Sequence, residues 1–139
     1  MTKLEVVPLT RDNLAAVATV TLDMERAYFS PGSVAYCLLA DGVPVFAGGV
    51  VNLLWHRGEA WMLATPWFRD HWRVCFKKMV SIVPTMAKDG KFKRVQATCS
   101  VMMSTRLFTH LGFAYEGTMK CFGPNGETCY MYARIFNVS

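Results

Sequence analysis

Three side chains in the sequence could act as a general base, the group that accepts a proton from a reacting substrate. They are Glu25, Glu59 and His56. Glu59 begins an apolar run that is typical of a central strand, and His56 lies just before it. The alternative is that the segment 56–59 forms a solvated turn between two strands, which is the interpretation that the sequence favours.

His71 and Cys75 have a spacing that places both side chains on one face of a helix, where they can chelate zinc. His56 or Cys99 would have to complete such a site, and four well-spaced ligands are not visible in the sequence. We therefore expect a buried cysteine beside a surface histidine, and no metal site.

The other reactive side chains show no pattern of nucleophilic catalysis, because no Ser-His-Asp or Cys-His set has a characteristic spacing. Cys121 and Cys129 could face each other across a terminal hairpin. In a reducing compartment, however, buried free thiols are more common than disulfides, and we expect free thiols here.

Basic side chains cluster around one predicted helix and the turn that follows it. They are Lys77, Lys78, Lys88, Lys91, Lys93 and Arg94. Nucleic-acid modules combine such charges with exposed aromatic rings, for which Phe92 is the candidate, whereas a solvated helix face is the alternative. The net charge of +5 favours anionic partners, and it does not choose between a phosphate-bearing cofactor and nucleic acid.

The composition of the 139 residues is typical of one globular domain. Hydrophobic residues make up 53% and charged residues 18%, the opposite of the balance that a disordered chain needs. No run reaches the roughly 18 apolar residues of a membrane span, and the first residues show no secretory signal. We expect an intracellular protein, or one packaged in a particle made inside a cell.

Three turn signals predict hairpins, at Asp41-Gly42, at Arg57-Gly58 and at 124–126. The runs between these turns are rich in Val, Phe, Tyr and Trp, as strands are. Two further strands are predicted, over residues 4–7 and 94–101.

Three helices are predicted, over residues 10–27, 70–88 and 103–110. Pro84 should kink or shorten the second helix, and Gly112 should end the third as a left-handed cap. The order βαβββαβαββ therefore predicts a single α/β domain with a mixed, mostly antiparallel central sheet and helices on both faces.

This order of elements resembles the GNAT (GCN5-related N-acetyltransferase) fold over essentially the whole chain. Residues 107–113 read Leu-Phe-Thr-His-Leu-Gly-Phe, where the family has a short helix ending in Leu-Tyr-x-x-x-Gly-Phe. The runs 40–49 and 58–65 are similar to small GNAT-like proteins of short-tailed bacteriophages, of the internal virion protein A type. The resemblance implies an acyl-CoA-dependent N-acyltransferase with an amine acceptor, or a non-catalytic phage protein that binds a phage or host protein, in the host cytoplasm or the virion.

The resemblance also implies acetyl-CoA as cofactor. In the family, backbone N–H groups of a glycine-containing loop before the central helix hold the pyrophosphate, and a splayed strand pair holds the pantetheine. The corresponding loop here, residues 65–71, has no glycine and carries Trp67 and Phe68. The cofactor-binding residues that the resemblance implies are Leu63, Ala64, Thr65, Arg69, Arg73 and Cys99.

In the family a carboxylate or water accepts the amine proton, and a tyrosine often protonates the departing thiolate. Here the tyrosine position falls on Phe108, and the position of a frequent asparagine falls on Val101. These departures argue against catalysis by the usual route. Glu59 and His56 are the candidate bases, and Tyr115 is the candidate acid, with a packed strand aromatic as its alternative role.

Overall fold

One mixed sheet organises the part of the chain that the computed structural model describes, residues 1–100 and 102–137, with the side chains of 102–104 outside the description. In chain order the elements are β1 (Leu4–Pro8), α1 (Arg11–Val17), α2 (Leu22–Tyr28), β2 (Val34–Ala40), β3 (Val43–Leu54), β4 (Arg57–Ala64), α3 (Pro66–Asp89), β5 (Arg94–Cys99), α4 (Met102–His110), β6 (Ala114–Met119) and β7 (Cys129–Ile135). Val101, the predicted asparagine position, lies outside the described residues.

The strands are ordered β1-β2-β3-β4-β5-β7-β6 across the sheet. Only β4 and β5 pair in parallel, and the other neighbours are antiparallel. The predicted α/β class and the mixed, mostly antiparallel sheet are thus confirmed.

The β2–β3 hairpin turns at Asp41-Gly42, as predicted, with φ of 50° and 80°. The β3–β4 hairpin does not turn at Arg57-Gly58, because both residues lie in β4. The left-handed residues are Trp55 and His56, and the His56 carbonyl accepts hydrogen bonds from the backbone of the α3–β5 loop. Gly58 serves packing instead, since a Cβ there would lie 2.1 Å from Cγ1 of Val50.

The predicted helix over 10–27 is two helices. α1 ends at Val17, and Ala18 is extended with φ of −160°. Thr21 then caps α2, its hydroxyl accepting a hydrogen bond from the Met24 N–H at 3.1 Å. The apolar residues continue at helical spacing, but the backbone does not stay helical. Thr21, preceded by the β-branched Val20, begins a second helix instead.

α3 begins at Pro66, four residues before the predicted start, because Thr65 caps it. It continues past Pro84 to Asp89, so of the predicted kink or shortening at proline the shortening is wrong, while the predicted end near residue 88 is confirmed. Pro84 has no N–H to donate to the carbonyl of Val80, one turn earlier. Val80 is exposed, so water can bind that carbonyl instead, and the helix tolerates the proline. The non-helical backbone within α3 lies at His71, with φ of −126°.

Two apolar clusters cover the two faces of the sheet. The first cluster lies between one face of the sheet and helices α3 and α4, and it includes Phe68, Phe92 and Phe108. The second packs α1 and α2 on the other face and includes Leu14 and Tyr28. α4 ends at His110, and Gly112 has φ of 89°, which confirms the predicted left-handed cap.

Candidate functional site

A gap opens in the middle of the sheet between β4 and β5. Their parallel pairing runs only from Arg57↔Arg94 to Glu59↔Gln96, although β4 continues to Ala64 and β5 to Cys99. We call this region, β4 from residue 60 to 64 and β5 from 97 to 99, the split. Its two unpaired backbone edges can accept an extended ligand in the manner of an added strand. Of the predicted cofactor-binding residues, Leu63, Ala64 and Cys99 lie along it.

The first turn of α3 lies at the wide end of the split. Thr65 caps it with its hydroxyl oxygen 3.4 Å from the Phe68 N–H, and donates the hydroxyl proton to the Val45 carbonyl at 2.7 Å. No acidic side chain occupies this first turn. The helix dipole and the first-turn N–H groups therefore leave positive potential at this end.

The aromatic rings of this segment pack against the protein. Phe68 is 4% exposed and stacks on Phe46 with ring centroids 4.4 Å apart. Trp67 is half-buried, packs on the first cluster and stacks on His71 at 4.2 Å. The His71 Nδ1–H donates to the Trp67 carbonyl at 2.7 Å, at the point where the helix backbone departs from helical geometry. The bulky rings of the glycine-free loop are thus held in contact with the protein.

Arg69 and Arg73, the other two predicted cofactor-binding residues, are exposed beside this turn. The guanidinium of Arg73 lies 5.5 Å from the centre of the Trp72 ring. Asp70 is exposed as well, so one negative charge accompanies these two positive charges. The segment can offer guanidinium groups to a phosphate at the wide end of the split.

Glu59 lies at the narrow end of the split, where the two strands separate. Its half-buried carboxylate accepts hydrogen bonds from Nε2 of Gln96 at 3.0 Å and from Oγ1 of Thr98 at 3.3 Å. Alternation along β4 places Glu59 on the sheet face opposite α3, because Gly58 and Ala60 face the first cluster. A carboxylate held in this way can accept a proton.

Arg94 extends this network to the edge of the sheet. Its Nε donates to Oε1 of Gln96 at 3.2 Å, and its Nη1 donates to Oε2 of Glu116 at 3.0 Å. The hydrogen bond from Arg94 and the charge of that guanidinium hold the pKa of Glu116 below its ordinary value. Gln96 is fixed at both ends of its amide, so it orients the carboxylate of Glu59.

Trp61, two residues after Glu59 on the same face of β4, carries a buried indole N–H with no hydrogen-bond partner among the described residues. Its ring stacks on Tyr28 with centroids 3.6 Å apart. A buried donor without a partner is costly in a folded protein and is frequent at functional sites.

The side chain of His56 is not part of the Glu59 network. It lies in the exposed β3–β4 turn, where Nδ1 is 3.0 Å from the Lys91 carbonyl. A carbonyl only accepts, so Nδ1 carries the proton in this bond. The turn interpretation therefore holds for His56 and is wrong for residues 57–59, which belong to β4, where Glu59 has its predicted strand position.

The structure does not bring Tyr115 and Glu59 together. Tyr115 is paired through Tyr132 to Ala97, whereas Glu59 is paired to Gln96, the neighbour of Ala97 on β5. Paired residues share a face and successive residues alternate, so Tyr115 and Glu59 lie on opposite faces of the sheet. Tyr115 is 57% exposed, and its hydroxyl bonds that of Thr118 at 2.5 Å.

Gln96, Thr98 and Glu116 were not predicted from the sequence. The strand Arg94–Cys99 alternates polar and apolar residues, which indicates a polar face for Gln96 and Thr98. Their pairing with Glu59 depends on the parallel register, for which the sequence contains no local signal.

Several other predictions are settled by burial. Phe92 is fully buried, so it is not the exposed aromatic of a nucleic-acid surface, and its ring packs within the first cluster instead. Cys75 is buried and His71 exposed, as expected. The five cysteines are free, with Cys121 exposed.

The described residues contain neither a metal-binding cluster nor a membrane-spanning helix. Within residues 1–100 and 102–137, no group of three or more His, Cys, Asp or Glu side chains could hold a metal ion. Over the same part of the chain, none of the helices has the length and hydropathy to span a membrane.

The fold is that of the GNAT acetyltransferases. A GNAT acetyltransferase from Streptococcus pneumoniae superposes with a TM-score of 0.73 at 12% identity, covering 96% of this chain and 100% of its own. The protein yncA from Salmonella typhimurium, solved with its cofactor acetyl-CoA, gives 0.77 at 14%, covering 96% and 94%. The spermidine N-acetyltransferase SpeG from Vibrio cholerae gives 0.74 at 9%, covering 95% and 93%. No family profile matches the sequence, and no curated protein does.

Proposed function

We propose that this protein is an N-acyltransferase that takes its acyl group from acyl-CoA and transfers it to an amine. The observation that carries the proposal is the split, which has the first turn of α3 at its wide end and the carboxylate of Glu59 at its narrow end. The similarity to proteins described as acetyltransferases, one solved with acetyl-CoA and one named for spermidine, supports it.

The residues around the split fit a coenzyme A donor. The open strand edges match the amide groups of pantetheine, and the first turn of α3 carries no acidic side chain, with the single negative charge of Asp70 one residue further and two arginines beside it. Trp67 and Phe68 pack against the protein, and we infer that Arg69 and Arg73 supply phosphate contacts that the missing glycines do not. Leu63, Ala64, Thr65 and Cys99 would line the pantetheine.

The bound acyl-CoA supplies the acyl group as a thioester. Glu59 accepts the amine proton while the C–N bond forms and the C–S bond breaks, and Gln96 and Thr98 hold its carboxylate in place. Phe108 has no proton to donate, so the departing thiolate takes a proton from water. Tyr115 lies on β6, an edge strand that β7 separates from β5, and this position argues against Tyr115 as the acid.

The substitution Glu59→Gln tests this role, because it keeps the shape of the side chain and removes its basicity. We expect acyl transfer to a panel of amines, measured by thiol release, to fall by roughly 10²–10⁴ with acyl-CoA affinity unchanged. Glu5→Gln, at an exposed position of β1, is the matched control. Binding of acyl-CoA without turnover on any amine would instead favour the non-catalytic binding protein.

We further propose a bacteriophage setting for this activity, in the host cytoplasm or in the virion. The support is the similarity of the runs 40–49 and 58–65 to the small GNAT-like phage proteins. A phage or host protein would then be a candidate acceptor or partner. Mass spectrometry of purified particles separates the two locations, since a virion component is present in them at a fixed copy number.

A further inference from the structure

A cavity of about 70 Å³ lies between α3 and the sheet, on the face opposite Glu59. Its walls are almost entirely apolar and come from the strands, from α3 and from α4. Ala60, Met62 and Val95 from the strands, Val83 from α3 and Phe108 from α4 are among the wall residues. Protein interiors are close-packed, and voids much larger than a water molecule are few in a domain of this size.

The cavity touches the split at its narrow end. Glu59 is the last residue of β4 that pairs with β5. Beyond it, the next side chains of β4 on the α3 face are those of Ala60 and Met62. Val95 lies on β5 just before the strands separate. Ala60 therefore belongs both to the cavity wall and to the end of the split nearest Glu59.

We propose that this cavity holds the hydrocarbon tail of the acyl donor, and that the preferred donor is an acyl-CoA with a chain a few carbons longer than acetyl. The proposal rests on the proposed function, since the thioester carbon must approach Glu59 at the narrow end. A dry, apolar void binds aliphatic or aromatic groups, because it offers no partners to water. The lining contains only one charged residue, Lys78, which is exposed.

The volume sets the length of the tail. A single water needs about 10–15 Å³ by the same measure, so the cavity has room for a short chain and not for a long one. Each methylene that is buried contributes about 0.8 kcal/mol, which corresponds to roughly fourfold in affinity. Butanoyl-CoA, with two more methylenes than acetyl-CoA, is therefore expected to bind on the order of tenfold more tightly.

The test is a series of dissociation constants for acetyl-, butanoyl-, hexanoyl- and dodecanoyl-CoA with the complete chain. We expect affinity to rise to butanoyl or hexanoyl and then to fall. Ala60→Val should remove the gain, so that butanoyl-CoA and acetyl-CoA bind the variant with similar dissociation constants. Ala40→Val is the matched control, since Ala40 belongs to the same cluster and does not line the cavity.

The outcomes separate the two proposals. Acetyl-CoA binding with no gain for longer chains would overturn the acyl-tail site and leave the proposed function standing. Binding of none of the four thioesters would overturn both. A gain that survives in Ala60→Val equally contradicts this location, and the wild-type series decides the question even if that variant does not fold.

Discussion

Replacement of Val95 by isoleucine should stabilise the protein, because Val95 lines the cavity under α3. An enclosed void costs about 24 cal/mol per Å³ relative to a filled core, so about 1.7 kcal/mol is the upper bound for this partly enclosed cavity of about 70 Å³. One added methylene can recover about 0.8 kcal/mol of this. For a chain of this length we expect a rise in Tm of about 3 °C.

The assay is urea and thermal unfolding of Val95→Ile beside Val45→Ile. Val45 is buried in the same cluster and does not line the cavity, so its added methylene meets a close-packed environment. We expect overpacking there to cost about 1–3 kcal/mol. Equal destabilisation of both variants would show that the core is filled at Val95, and it would remove the basis for an acyl-tail site.

Three further predictions concern the thiols, the ion pair and the network. At pH 8, Cys121 should react rapidly with a thiol reagent while Cys37 reacts only on unfolding, because burial raises the pKa of Cys37 to about 11; equal rates would contradict this. The lowered pKa of Glu116 beside Arg94 contributes stability above the ordinary glutamate pKa, and this contribution is lost as the pH falls through the pKa of the folded state. The unfolding free energy of Glu116→Gln should therefore approach that of wild type at acid pH, and a constant difference between pH 7 and pH 3 would refute the pairing. Thr98→Val should lower turnover about tenfold and leave the KM for acyl-CoA unchanged, since Thr98 only holds Glu59; a matching change in KM would place Thr98 against the donor.

The β2–β3 hairpin and the end of α4 could be predicted because their signals are local. Asp41-Gly42 adopts the two positive φ values that a tight hairpin requires, and Gly112 ends α4. The missed boundaries were decided by competing local or tertiary contacts. The Thr21 cap divided the first helix, and the hydrogen bonds of the His56 carbonyl moved the β3–β4 turn away from Gly58.

The candidate site could be predicted only in part. Glu59 was a candidate because its residue type and position before an apolar run are visible in the sequence. Its partners Gln96 and Thr98 are distant in sequence and meet it only through the register of β4 and β5. Tyr115 was a candidate by residue type, and its face of the sheet depends on two strand pairings and a bulge that the sequence does not reveal.

The central claim is that the split binds coenzyme A along its open strand edges. Amide hydrogen exchange, followed residue by residue with and without coenzyme A, tests it most directly. Slower exchange confined to amides within 60–64, 97–99 and the first turn of α3 is the predicted result. Unchanged exchange at these amides in the presence of millimolar coenzyme A, or protection at another surface, would contradict it.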